Sequence, residues 1–228
     1  AATWRSAFVP VVCVLLAVAL SLHLWSRERY VVESVDLAVG STVRRLFADS
    51  QLRWLLVAYA LYAFTWQSAV SFVPTYLQVG KGFSPAVANT GFAALFVVGA
   101  VVKPLAGGLG DRVPRGLLAP AVLGVAATML GVVVFASAEL AVLVAVACFA
   151  AGLMAYPPVM QAYLMDSFPA DSMGGDLGAM RTLYIGVGAL GPTYVGVVAD
   201  VVDYRTAFTG LVGCLLLSSL VIVLLGRE

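Results

Sequence analysis

Seven long apolar runs, separated by short polar stretches, set the pattern of this chain. They fall at about 4–25, 53–77, 84–106, 117–136, 139–165, 176–199 and 206–225. Each is close to the ~20 residues an α-helix needs to cross a bilayer. None alternates apolar and polar positions as a barrel strand does, so the runs predict membrane helices. The fifth run is long and carries Pro157-Pro158, which predicts a kink or tilt. The only long connection, 26–52, is rich in charge: Arg27, Glu28, Arg29, Glu33, Asp36, Arg44, Arg45 and Asp49. Within it Ser41 stands where it would cap a short helix, with Val43, Leu46 and Phe47 sharing a face suited to the membrane surface.

The short connection Gly107–Gly116, GGLGDRVPRG, is the most distinctive polar stretch. So brief a turn makes its flanking spans antiparallel neighbours, and its glycines allow close backbone approach. Asp111 offers acceptors to the free N–H groups of a helix end, while Arg112 and Arg115 offer donors to phosphates or carboxylates. Two readings fit: a latch that opens and closes, or a basic loop that only fixes orientation.

Composition confirms the solvent. The 228 residues are 62% hydrophobic and 11% charged, against about 45–50% and about 25% in soluble domains. The chain is therefore read as an all-α integral membrane protein with seven transmembrane helices. A net charge of +1 gives no reason to expect a nucleic-acid partner. Cys13, Cys148 and Cys214 lie inside apolar runs and read as small packing residues, without disulfide or metal spacing. The single histidine, His23, reads as structural or interfacial. No His/Cys/Asp cluster, Ser-His pairing, cofactor motif or Gly-x4-Gly-Lys-Ser/Thr loop appears, which speaks against an enzyme, a bound cofactor and an ATP-driven pump. With no initiator Met and no signal peptide, the chain is expected to begin inside a longer protein.

Seven spans alternate sides, so connections 26–52, 107–116 and 166–175 share a side with the C-terminus. That side holds Arg27, Arg29, Arg44, Arg45, Arg53, Arg112, Arg115 and Arg227; the other holds Arg5, Lys81 and Arg205. The excess places the Gly107–Gly116 turn and the C-terminus in the cytoplasm. Lys103 and Arg181 remain, both expected near cytoplasmic span ends.

A repeat then suggests the architecture. Trp4-Arg5-Ser6-Ala7-Phe8 recurs as Tyr204-Arg205-Thr206-Ala207-Phe208, 200 residues later, each copy opening a span on the outer side. The unit is six helices, and two parallel six-helix units are a known transporter plan. Residues 1–25 would be the last helix of an N-terminal bundle, 26–52 a cytoplasmic inter-bundle linker, and 53–228 the C-terminal six-helix bundle. Five upstream helices would lie outside the chain.

On these grounds the chain resembles the C-terminal half, with one preceding helix, of a transporter of the major facilitator superfamily (helices 6–12 of twelve). Gly107-x3-Asp111-Arg112-x-Pro114-Arg115 is similar to that family's cytoplasmic motif Gly-x3-Asp-Arg-x-Gly-Arg, with Pro114 in place of a glycine and Gly116 in place of a final basic residue. Gly186-x-Gly188-x2-Gly191-Pro192-x3-Gly196 resembles the Gly-Pro helix-packing segment of its helix 11. The resemblance implies secondary active transport of a small solute by alternating access, coupled to a proton or sodium ion. Alternatives are a drug or metabolite efflux antiporter of the same fold, or a non-transporting membrane sensor or scaffold. It also implies a multi-pass protein of the plasma membrane, partnered by substrate, coupling ion, lipid and the N-terminal bundle.

In that family helices 7 and 10 line the central cavity. Here helix 7 carries Tyr59, Tyr62, Trp66 and Val70 in one stripe, with Gln67 beside Trp66 near mid-membrane. Helix 10 carries Tyr156, Met160 and Tyr163 on one face, with Gln161 adjacent. A substrate wall of Tyr59, Tyr62, Trp66, Gln67, Tyr156, Met160 and Gln161 would be aromatic and amide-rich rather than charged; ordinary helix packing explains the same pattern. Gly107, Asp111, Arg112 and Arg115 would form the cytoplasmic gate, joined by Lys103, Asp166 and Arg181 as a charge cluster or by none of them if these only snorkel.

Overall fold

The computed structural model describes residues 8–25, 39–169 and 172–226. Its helices are α1 (Phe8–Trp25), α2 (Val39–Ala48), α3 (Ser50–Thr75, continued by a π-helical turn Tyr76–Gly80), α4 (Pro85–Gly110), α5 (Arg115–Phe135), α6 (Glu139–Ser167), α7 (Met173–Gly188), α8 (Gly191–Val201) and α9 (Tyr204–Leu225). Among the described residues there is no strand. Seven segments are long and apolar enough to span a membrane, with α7 and α8 together forming one. The protein is thus an all-α, multi-pass membrane protein. The structure divides into two compact units, 1–37 and 38–228. In the first, α1 is a single apolar helix. The repeat copy at Trp4–Ala7, residues 26–38 of the 26–52 connection and Arg227 lie outside the described residues.

Local signals set the helix ends. Asp49 caps α3 by accepting from the Leu52 N–H at 3.0 Å, and Asp203 caps α9 through the Thr206 N–H at 2.6 Å. Ser84 precedes Pro85 at the start of α4, where a missing N–H costs nothing. Pro74, near the end of α3, removes a backbone donor, and the helix widens to i→i−5 bonding over the next turn, as in Lys81 N–H to Tyr76 O at 3.0 Å. Helix α2 exists, but Ser41 lies inside it instead of ahead of it. Leu46 is fully buried, whereas Phe47 is about half exposed.

In the second unit α6 packs between α4 and α5, α9 between α5 and α3, and α3 closes the ring against α4 while α7 and α8 lie along its other flank. Small residues permit this closeness. A Cβ added at Gly152 of α6 would meet Val122 O at 2.6 Å and Ala126 N at 2.7 Å on α5. Hydroxyls tie helices together: buried Ser218 on α9 donates to Ala58 O of α3 at 2.7 Å, and half-buried Ser219 to Pro120 O of α5 at 2.9 Å. Large apolar side chains such as Val97, Val101, Leu105 and Leu217 point outward, as a lipid-facing surface requires.

The Gly-Pro segment behaves as two features. Helix α7 ends at Gly188 and α8 begins at Gly191, with Pro192 in its first turn. Cβ atoms at Gly188 and Gly191 would fall 3.0 Å from Ala63 and 2.3 Å from Phe64 O, so both glycines seat this break on α3. Gly196 makes only ordinary contact with Phe72, and Gly186 faces open space. Close approach is thus confined to Gly188 and Gly191, because only every third or fourth position of a helix faces one neighbour.

Candidate functional site

The expected Gly107–Gly116 loop is mostly helix. Helix α4 continues through Gly110, and Asp111 N–H still bonds to Gly107 O at 3.2 Å, so the turn proper is only Asp111–Pro114. Gly107 and Gly108 face open space, so within this unit they bring no backbones together. Arg115 is the hub instead. Its guanidinium donates to Gly110 O and Ala162 O, each at 3.3 Å, pairs with Asp166 at the end of α6, and lies 3.7 Å from Asp111. It ties the end of α4 and the end of α6 to the start of α5. Asp111 accepts from no helix N-terminus among the described residues; three-quarters exposed, it has only the loose contact with Arg115. Arg112 is exposed and has no partner among the described residues.

A second ionic contact at this end was not expected. Asp176, in the first turn of α7, is 1% exposed and accepts from Arg45 of α2 at 2.7 Å and from Ser172 at 2.8 Å. It fixes the amphipathic helix α2 to α7. The sequence signal was available: an acid in a helix's first turn, and a basic residue on the face adjoining buried Leu46.

The cavity lies deeper. It measures about 310 Å³, is open on one side, and is walled by four helices. Helix α3 supplies Tyr59, Tyr62, Ala63, Trp66 and Gln67, and α6 supplies Met154, Pro157 and Gln161. Helix α4 adds Lys103, and α7 adds Arg181, Tyr184 and Ile185. Tyr184 stacks on Tyr59 with centroids 3.9 Å apart, and Tyr156 supports both Tyr59 (5.4 Å, edge-on) and Tyr62 (4.6 Å) from behind. Such ring contacts hold a wall rigidly. Gln67 and Gln161 make no hydrogen bond within the described residues, so their amides are free to face the cavity.

Two expected wall residues fall behind the lining. Met160 is fully buried in the helix core, because α6 turns Met154, Pro157 and Gln161 toward the cavity and Met160 away. Tyr156 is also fully buried, and its hydroxyl has no hydrogen-bond partner; neighbouring Ser218 donates to Ala58 instead. Helix α6 runs through Pro157 and Pro158 without a break. Their missing N–H groups free the carbonyls of Leu153 and Met154.

The larger correction concerns charge. Lys103 and Arg181 were grouped with Asp111 and Asp166 near the span ends, and the wall was expected to be uncharged. Both line the cavity. Helices α4 and α7 extend beyond their apolar runs, to Gly110 and from Met173. Lys103 is therefore about 10 Å from the end of α4, and Arg181 about 12 Å from the start of α7, at a rise of 1.5 Å per residue. Tyr184 and Ile185 went unnoticed, although Arg181, Tyr184 and Ile185 follow the i, i+3, i+4 spacing of one face.

The cavity thus stands among helices long and apolar enough to cross a membrane, and its wall is aromatic, amide and cationic. The sequence profile of the Major Facilitator Superfamily matches residues 1–192, and the chain belongs to that family. Its fold is similar to the crystal structure of FucP, a Major Facilitator Superfamily transporter, in the outward conformation: TM-score 0.75, 16% identity, 97% of this chain and 54% of that one. It is equally similar to a single-residue variant of the E. coli fucose:proton symporter FucP, with TM-score 0.76, 16% identity, and coverage of 97% and 55%. The chain spans about half the length of these structures. No curated protein sequence matches it.

Proposed function

We propose that this chain forms the C-terminal half, with one preceding helix, of a secondary active transporter that moves a small solute across the plasma membrane by alternating access. The observation that carries the reading is the cavity itself: aromatic, amide and cationic side chains from α3, α4, α6 and α7 converge on one open-sided space. In this reading α1 is the last helix of an N-terminal bundle, residues 26–52 form the linker, and 53–228 form the second bundle, with the Arg115 end and the C-terminus cytoplasmic. The ionic contacts Arg115–Asp166 and Arg115–Asp111 act as a gate that makes and breaks; exposed pairs of this kind are worth only about 0–1 kcal/mol each, so reversal is easy. Coupling to a proton is favoured over sodium because a structure of similar fold is a fucose:proton symporter. Efflux by antiport uses the same parts and is the second reading.

The test is solute flux in proteoliposomes holding the complete transporter, both bundles included, under an imposed pH gradient. Gradient-dependent accumulation or extrusion of any solute class is the expected result. A folded, correctly inserted protein that moves nothing across a broad solute panel would overturn transport in favour of a sensor or scaffold.

A further inference from the structure

We infer that the cavity takes an organic anion, a small solute bearing one or two carboxylates, held by Lys103 and Arg181 against the Tyr59–Tyr184 wall. This rests on the transport reading above and specifies its substrate class.

The inference follows from where the acids are. Lys103 and Arg181 line one cavity, and among the described residues no Asp or Glu lines it. Neither cation has an ion pair or a hydrogen bond among the described residues, although both sit two turns inside their helices. Both side chains are exposed on the cavity side, and two cations sharing one space repel each other, so both favour an anion that enters between them. The described acids of this unit do not supply it. Asp49 caps α3, Asp111 and Asp166 attend Arg115, and Asp176 is held by Arg45. Glu139, Asp200 and Asp203 lie at the opposite end of the bundle, at the start of α6, the end of α8 and the start of α9.

The rest of the lining suits the body of such a solute. Partly exposed Tyr184 and Trp66, backed by buried Tyr59 and Met154, offer a flat, largely apolar surface. Gln67 and Gln161 add uncommitted amide donors and acceptors. The guanidinium of Arg181 provides the paired donors that match a carboxylate, and Lys103 a point charge. At about 310 Å³ the space is of a size to hold a small molecule.

The experiment compares carboxylates with their isosteric neutral amides, lactate with lactamide and benzoate with benzamide, together with succinate. Binding to the complete transporter is read by thermal shift, and flux in proteoliposomes. At least one carboxylate is expected to bind saturably and to be transported, with its amide at least tenfold weaker. Lys103→Gln and Arg181→Gln should each weaken that carboxylate tenfold or more while leaving the unliganded melting temperature unchanged. Amides or other neutral solutes that bind and move as well as carboxylates would overturn the anion assignment and leave transport standing. Large destabilisation of both unliganded variants, with anion binding intact, would make the cations structural partners of another bundle and would equally overturn it. No flux of any solute would instead defeat the transport reading.

Discussion

Arg115 and the pair Lys103 and Arg181 occupy the same half of one bundle yet live in opposite circumstances. Arg115, at the helix ends, has two carbonyls and two carboxylates within reach. Lys103 and Arg181, some two turns deeper, have none among the described residues and face a cavity. A cation that satisfies itself within the fold serves the fold. One left unsatisfied on a cavity wall serves whatever enters. The contrast separates gate from site more sharply than residue type does.

Four measurements test the contrast. The largest effect is expected where a carboxylate is buried: Arg45→Gln strands Asp176. Losing the partner of a fully buried charge costs about 3–5 kcal/mol. Arg45 is 42% exposed, so water repays part, and about 2–3 kcal/mol of stability should be lost in detergent melts. Arg45→Gln combined with Asp176→Asn should recover most of it, since no charge is then stranded; no recovery would mean that the two act independently.

Next is Arg115→Gln. Asp166 is well exposed, so the variant should lose only about 1–2 kcal/mol, mostly from unmet carbonyls, and the loss should shrink little in high salt. A loss that vanishes with salt would make the latch purely ionic. Lys103→Gln and Arg181→Gln should change unliganded stability by less than about 0.5 kcal/mol, as expected of side chains without partners in the fold. A loss matching Arg115→Gln would erase the distinction drawn here.

The smallest effect is at Asp203, which is fully exposed. The Thr206 N–H donates to its carboxylate and holds the carboxyl below the usual carboxylate range. A group that binds its proton more weakly folded than unfolded adds stability above the unfolded value, about 3.9, and loses it as pH falls through the depressed folded value. Asp203→Asn should flatten that acid limb in melts taken across acidic pH, while leaving stability at neutral pH close to the parent.

Much was legible because one constraint dominates. Crossing hydrocarbon demands unbroken apolar runs whose backbone groups bond internally, so seven spans and an all-helical fold could be read directly from the sequence, as could the turn between α4 and α5. Tyr59, Tyr62, Trp66, Gln67 and Gln161 were legible as wall candidates, because polar and aromatic groups deep in such runs need a reason. What hydropathy cannot give is rotation and true helix length. It could not tell that Met160 lies wholly in the core while buried Met154 borders the cavity. Nor could it tell that Gly188 and Gly191 approach α3 too closely to bear a Cβ, or that Lys103 and Arg181 sit well inside helices that outrun their apolar stretches. Those outcomes depend on which face of each helix meets which neighbour. The sequence by itself determined the spans, their number and the charged turn, since the bilayer acts on each segment separately. Only the tertiary structure decided which cations are paired and which stand open in the cavity, since pairing depends on side chains brought together from helices far apart in the chain.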